Sequence, residues 1–272
     1  MKLGIVICAF GKDYITQAEL FVLSLKSCNV TLPVTIITSC KENISLDYFF
    51  DNIIEIPNNI EDTFYHVDIR SNIYFLSPYD FTFVFDTDIL ILENLYDNLV
   101  NLSNKVDMFY TSQVFTYRGD EIIKDYYYRS VFLDNNLPNI YNGFSAFKKT
   151  NKNDIFFSLL KKINKNWQVV YKMFCPLNTP KNASMDVSTA IVCKILDINP
   201  IYKFNAKFVH MKAKNQNWKT NPYYWQDKVQ TFLTPNLDFY VETFKQKGIF
   251  HYTENSFCNE NMVNTYKSYL SL

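Results

Sequence analysis

Two aspartates one residue apart, Asp86 and Asp88, interrupt the apolar stretch Phe83-Val84-Phe85-Asp86-Thr87-Asp88-Ile89-Leu90-Ile91-Leu92. Charges in such a run are costly to desolvate unless something uses them. The preceding residues, Phe81–Phe85, read as a strand apolar enough to be buried on both faces. The carboxylates then fall at its C-terminal end, the edge where open α/β sheets place ligands. At that spacing they can converge on one hard cation, Mg²⁺ or Mn²⁺, with phosphate oxygens completing the shell. The plainer alternative is a pair of surface aspartates starting the next turn, and the apolar flanks weigh against it.

Of the three histidines, two lie on strand-like segments. His210 is in Lys207-Phe208-Val209-His210-Met211-Lys212, and His251 is in Ile249-Phe250-His251-Tyr252. Either can supply a nitrogen ligand, and either can be an ordinary core histidine. Tyr126-Tyr127-Tyr128, Trp218 and Tyr223-Tyr224-Trp225 offer aromatic faces suited to a pyranose. With aromatics at 17% of the chain, most of them are expected to pack.

The elements that must position these groups alternate. Leu3–Ala9, Val34–Thr38, Ile53–Ile56 and Phe81–Phe85 read as strands; Asp13–Cys28 and Thr63–Leu76, with Thr63 as N-cap, read as helices. This order implies a mostly parallel sheet with right-handed crossovers. Further on, Val106–Thr111, Asn142–Phe147, Phe204–His210 and Gly248–Tyr252 are strand-like, and Asn153–Ile163 and Val187–Leu196 helix-like. No repeat or Gly/Ser-rich linker divides the chain. Residues 1–272 therefore read as one α/β domain with a C-terminal extension, 1–112 forming a nucleotide-binding half and 113–272 an acceptor half with a C-terminal lid.

Lys+Arg and Asp+Glu balance at 27 each, which argues against a general nucleic-acid binder. No apolar run reaches the roughly 20 residues that span a bilayer. Met1–Phe10 reads as a strand and not a signal peptide. The six cysteines show no C-x-x-C pair, which points to reduced thiols and a cytoplasmic setting. The N-x-Ser/Thr matches at Asn29, Asn43, Asn101 and Asn182 are read as chance in an Asn-rich chain.

The sequence resembles the GT-A glycosyltransferases, most of all the retaining glycogenin and bacterial galactosyltransferase group (family 8-like). Phe85-Asp86-Thr87-Asp88 is similar to the Leu-Asp-x-Asp that ends a central strand there, and Ala9-Phe10-Gly11-Lys12-Asp13-Tyr14 to the turn holding uridine, with Tyr14 against the base. Arg70 matches the basic residue of the helix before the Asp pair. Tyr141-Asn142-Gly143-Phe144 resembles the strand beside the acceptor, and Met185-Asp186 the start of a helix that begins Asp-Gln in the family. Ile249-Phe250-His251-Tyr252-Thr253 resembles the late strand whose histidine completes the metal site.

The resemblance implies a Rossmann-type GT-A architecture, a UDP-sugar donor, a Mn²⁺ or Mg²⁺ cofactor, an acceptor that is a glycan, lipid or protein, and retention of configuration. By residue, it implies metal ligation by Asp86, Asp88 and His251; donor contacts from Ala9, Phe10, Tyr14, Arg70, Asp86 and Thr87, with His210 as rival ligand or substrate contact; and catalytic roles for Asp186 and Asn142. Two departures stand out. Val187 replaces the usual Gln, and the Gly and Lys-Pro-Trp that grip the diphosphate do not follow His251. Lys212, Lys214 and Lys267 are the cations at hand to replace them.

Three other readings weigh less. A phosphatase of the haloacid-dehalogenase type would need a later Gly-Asp pair, and Gly119-Asp120 is read as too close to Asp88 for a strand and helix between them. An inactive sugar- or nucleotide-binding module would be expected to have lost the Asp-Asp-His set. A nucleotidyltransferase would carry a Gly-rich basic loop after the first strand.

Overall fold

The computed structural model describes residues 1–57, 65–122, 129–176, 183–211 and 222–272. Thr63, Tyr126–Tyr128, Asn182, Lys212, Lys214, Trp218 and the side chains of Tyr223 and Tyr224 lie outside the described residues.

In chain order the elements are β1 (Leu3–Ala9), α1 (Lys12–Ser27), β2 (Val34–Thr38), β3 (Asn52–Glu55), α2 (Tyr65–Leu76), β4 (Phe81–Phe85), β5 (Ile89–Ile91), α3 (Tyr96–Ser103), β6 (Met108–Thr111) and α4 (Ser130–Asp134). They continue with β7 (Tyr141–Lys148), α5 (Asn151–Lys165), α6 (Trp167–Phe174), α7 (Met185–Ile195), β8 (Phe208–His210), β9 (Thr231–Leu233), β10 (Phe239–Val241), β11 (Phe244–Lys245), β12 (Ile249–His251) and α8 (Glu260–Tyr269).

Six strands form the central sheet, in the order β3-β2-β1-β4-β7-β6. The first four are parallel, and β7 runs antiparallel to both β4 and β6. The mostly parallel α/β sheet expected from the sequence is the one observed. Every residue of β2 and β4 is buried, as strands covered on both faces must be. Ile15, Phe21, Val22 and Leu25 of α1, with Leu99 of α3, cover one face through Ile5, Ile7, Phe83 and Phe85. On the other, Ile69 and Ile73 of α2, Phe156 and Leu160 of α5, and Ile191 of α7 pack on Val6, Ile37 and Val84. The starts of α5 and α8 are capped by side chains: Thr150 Oγ1 accepts from Asn153 N at 3.2 Å, and Asn259 Oδ1 from Met262 N at 3.0 Å.

The chain moves outward from β1 to β3 and then returns to build β4 on β1's other side. The strand order therefore reverses between β1 and β4, and a crevice opens beyond their C-terminal ends. A second sheet, β5-β12-β8, stands next to this crevice, with β12 antiparallel to β5 and parallel to β8. A β9–β10–β11 meander and α8 close the C-terminal side around Phe239, Phe250, Phe257 and Tyr266. The strand expected over Phe204–His210 is confined to Phe208–His210, where β12 supplies a partner.

Candidate active site at the ends of β1 and β4

The crevice holds a cavity of about 220 Å³ lined by Cys8, Phe10, Tyr14, Arg70, Ile73 and Val84 through Asp88. Gly11, at φ +94°, lets the chain turn from β1 straight into α1, a conformation that side chains other than glycine disfavour. That turn puts Phe10 and Tyr14 on the wall. The Asp86-Thr87-Asp88 turn is held from three sides. Asp86 N donates to Gly143 O of β7 at 2.9 Å, and Tyr252 N donates to Asp88 O at 3.1 Å. Thr87 Oγ1 donates to Gln17 Oε1 of α1 at 2.9 Å, and Gln17 Nε2 donates to Asn255 Oδ1 at 3.1 Å.

Asp86, Asp88 and His251 each turn one ligand atom into a common space, all within 4.8 Å of one another. His251 Nε2 is 3.1 Å from Asp88 Oδ1 and 4.0 Å from Asp86 Oδ2. His251 reaches this point because β7 has no side chain at Gly143. A Cβ there would lie 3.1 Å from His251 Nδ1 and 3.0 Å from Phe208 Cζ. His210 pairs in register with His251, sits edge-to-face against it, and packs its ring near Tyr141. It is only 4% exposed and is not among the residues lining the cavity.

Arg70 donates from Nη2 to Asp86 Oδ1. Burial works against the Arg70 charge, but Asp86, aided by Cys8, Asp186 and Asp88, holds its pKa above the ordinary arginine value. Asp86 is raised: burial dominates and Asp88 adds to it, while Arg70 and His251 pull the other way. Two carboxylates and an imidazole around one space, with burial disfavouring the Asp86 charge, form a donor set that fits a divalent cation. Burial pushes the Cys8 thiol on the cavity wall up to about 12.

Asp186, at the start of α7, belongs to a neighbouring constellation. Its Oδ1 accepts from Asn142 N at 2.9 Å and Asn142 Nδ2 at 3.1 Å. Its Oδ2 accepts from Arg129 Nη1 at 2.6 Å. A recess of about 20 Å³ lined by Tyr110, Asn142 and Met185 shares Arg70, Ile73 and Val84 with the main cavity.

The structure thus gathers Phe10, Tyr14, Arg70, Asp86, Thr87, Asp88 and His251 around one crevice, with Asn142 and Asp186 beside it. Ala9 is fully buried in the core, and its side chain does not line the cavity. Trp225 is no sugar platform. It is fully buried, donates from Nε1 to Tyr252 O at 2.6 Å, and packs on Phe250 and Phe257. Lys267 lies on α8, which packs on α1, and does not line the cavity. Val187 joins the core under α7. β5, α3 and β6 all fit between Asp88 and Gly119, so the spacing of Gly119-Asp120 does not exclude a phosphatase. Gly119-Asp120 instead forms a tight turn whose Asp120 N donates to Thr116 Oγ1 at 3.2 Å. The sequence reading missed Gln17 and Arg129, whose partners are far away in sequence.

No protein-family model matches the chain, and no curated protein matches it in sequence. Solved structures do. The galactosyltransferase LgtC, crystallised with donor and acceptor sugar analogues, superposes with a TM-score of 0.51 at 12% identity, over 97% of this chain and 95% of that one. Two crystal structures of the glycosyltransferase GlyE from Streptococcus pneumoniae TIGR4 match at 13% identity, with TM-scores of 0.45 and 0.46. They involve 75% and 100% of this chain but only 45% and 61% of theirs, so the chain spans about half the length of the GlyE proteins. At this identity the likeness to LgtC speaks for the fold, and the GT-A-like α/β architecture is shared.

Proposed function

We propose that the chain is a glycosyltransferase that moves a sugar from a UDP-sugar to a glycan, lipid or protein acceptor, with retention of configuration. The observation that carries this reading is the Asp86-Asp88-His251 group at the strand-order reversal, next to a cavity walled by Phe10, Tyr14 and Arg70. Asp86, Asp88 and His251 would hold Mn²⁺ or Mg²⁺. Such a cation acts as a Lewis acid toward the charge that develops on a leaving diphosphate. The GT-A-like fold shared with LgtC supports the same assignment.

In this reading Tyr14 stacks on the uracil and Phe10 closes the base side. Arg70, fixed by Asp86, points positive charge at the diphosphate and at the turn that binds the cation. Thr87 anchors that turn through Gln17, so the two carboxylates keep their spacing when ligand enters. Asn142 lines the side recess and Asp186 is hydrogen-bonded to it, so that the two can donate to and accept from hydroxyls of the transferred sugar or the acceptor. Six free thiols accord with a reducing, cytoplasmic setting, which is part of the proposal. Among the described residues no helix is long and apolar enough to cross a membrane.

The test is titration calorimetry of UDP with Mn²⁺ on the wild type, Asp86→Asn and Asp88→Asn. Both variants should keep their fold by circular dichroism and lose Mn²⁺-dependent UDP binding. Unchanged UDP affinity in both would overturn the reading.

A further inference from the structure

Arg129 is 2% exposed, yet it carries a permanent charge. A buried guanidinium without partners would be strongly destabilising. Its surroundings answer that cost in every direction. The plane lies between the rings of Phe132 and Tyr141, with its central carbon 3.8 and 3.9 Å from their centroids. Nε donates to Asn139 Oδ1 at 2.8 Å, Nη2 donates to Ile140 O, and Nη1 donates to Asp186 Oδ2. The first two partners directly precede β7, the strand that carries Asn142.

The pair is asymmetric. Arg129 is enclosed, while the Asp186 side chain is 23% exposed. Among the described residues, Asp186 Oδ1 already accepts two hydrogen bonds and Oδ2 one. A carboxylate has about four acceptor directions, so the open one is on Oδ2. Rotating the Asp186 side chain would break the Arg129 Nη1 contact and both Asn142 bonds together.

We infer that Arg129 is a positioning residue: it locks the Asp186 carboxylate against Asn142, so that one Oδ2 direction is offered to a hydroxyl of the bound sugar. This rests on the proposed donor reading, because it assumes that Asp186 meets the sugar. It also explains why a cation with no access to the cavity sits so near the site. The same three hydrogen bonds quench Asp186 as a nucleophile and leave it suited to hold a hydroxyl.

The test compares Arg129→Lys, which keeps the charge and loses the fork, with wild type, Asp186→Asn and the double variant. Two readouts are used. The Asn142 amide proton resonance reports the bond to Asp186 without any ligand. Calorimetry with Mn²⁺ compares UDP with UDP-glucose and UDP-galactose. Arg129→Lys should shift the Asn142 resonance, leave UDP affinity within about twofold, and weaken the better UDP-hexose about tenfold. In the Asp186→Asn background it should cost nothing further.

An unmoved Asn142 resonance, equal losses for UDP and UDP-hexose, or additive losses would each overturn the inference. If the resonance moves but the wild type binds neither UDP-hexose, the donor reading fails, and with it the functional role of a correctly placed Asp186. Should Arg129→Lys not fold, Asn139→Ala, which removes only the Nε partner, takes its place with the same readouts.

Discussion

His251 and His210 face each other across the β12–β8 pair, their ring centroids 4.7 Å apart at 76°. Only His251 points an imidazole nitrogen at the two aspartates. His210 packs behind it, between His251 and Tyr141.

This arrangement predicts unequal effects on metal binding. His251→Ala should weaken Mn²⁺ by about tenfold or more, through loss of a ligand. His210→Ala should act less, by loosening the ring that backs His251. Mn²⁺ titration followed by electron paramagnetic resonance measures both, and a larger defect in His210→Ala would move the ligand to β8.

Gly143→Ala tests the close approach of β7. Its Cβ would meet His251 Nδ1 at 3.1 Å and Phe208 Cζ at 3.0 Å, so both rings, which β8 and β12 hold buried, must give by a few tenths of an ångström. The expected outcome is weaker Mn²⁺ binding and a stability loss of about 1–3 kcal/mol from overpacking. Chemical denaturation and metal titration on the same sample read the two effects. Wild-type metal affinity would show that His251 does not depend on the gap.

Tyr14 is 43% exposed on the cavity wall, where an aromatic ring has room to take a base. Tyr14→Ala should weaken UDP by about 1 kcal/mol, roughly fivefold, without changing Mn²⁺ affinity. A crystal structure with uracil away from Tyr14 would contradict the assignment.

Cys8 lines the same wall, and its pKa is raised by burial to about 12, opposed by Arg70 and helped by Asp86. The unfolded thiol ionises near 9.0, well below the folded value. Its contribution to stability is therefore complete below pH 9 and is lost as pH rises toward 12. At pH 8 the folded thiol is protonated, and iodoacetamide should label it far more slowly than it labels the denatured chain. Mass spectrometry of peptides after timed labelling decides this, and rapid native labelling at pH 8 would refute it.

The parallel half of the sheet was legible because β1, β2 and β4 are short, charge-free runs rich in β-branched and aromatic residues, and α1 has apolar residues at helical spacing. Asp86 and Asp88 stood out for the converse reason, as charges inside such a run. β5 was hidden in the flank of that motif, since Ile89–Ile91 becomes a strand only by pairing with β12, some 160 residues later. The three-residue strands of the meander are too short to show a period. Arg129 and Gln17 were invisible for a related reason. Their meaning lies in Asp186 and in Thr87 and Asn255, and no local spacing announces a partner that distant.

The reversed strand β7 has a consequence for how the molecule comes into being. Until residues 141–148 have left the ribosome, β4 presents an open hydrogen-bonding edge, and β6 has no neighbour in the sheet. A fragment ending at residue 112 would expose that edge with Phe81, Phe83 and Phe85 beside it, a template for pairing between chains. The Asp86 amide would also lack the Gly143 carbonyl that fixes its turn. Such non-local closures are slow to form and leave aggregation-prone intermediates. The first half of the chain should therefore go insoluble when expressed alone and be rescued when residues 113–272 are supplied alongside it.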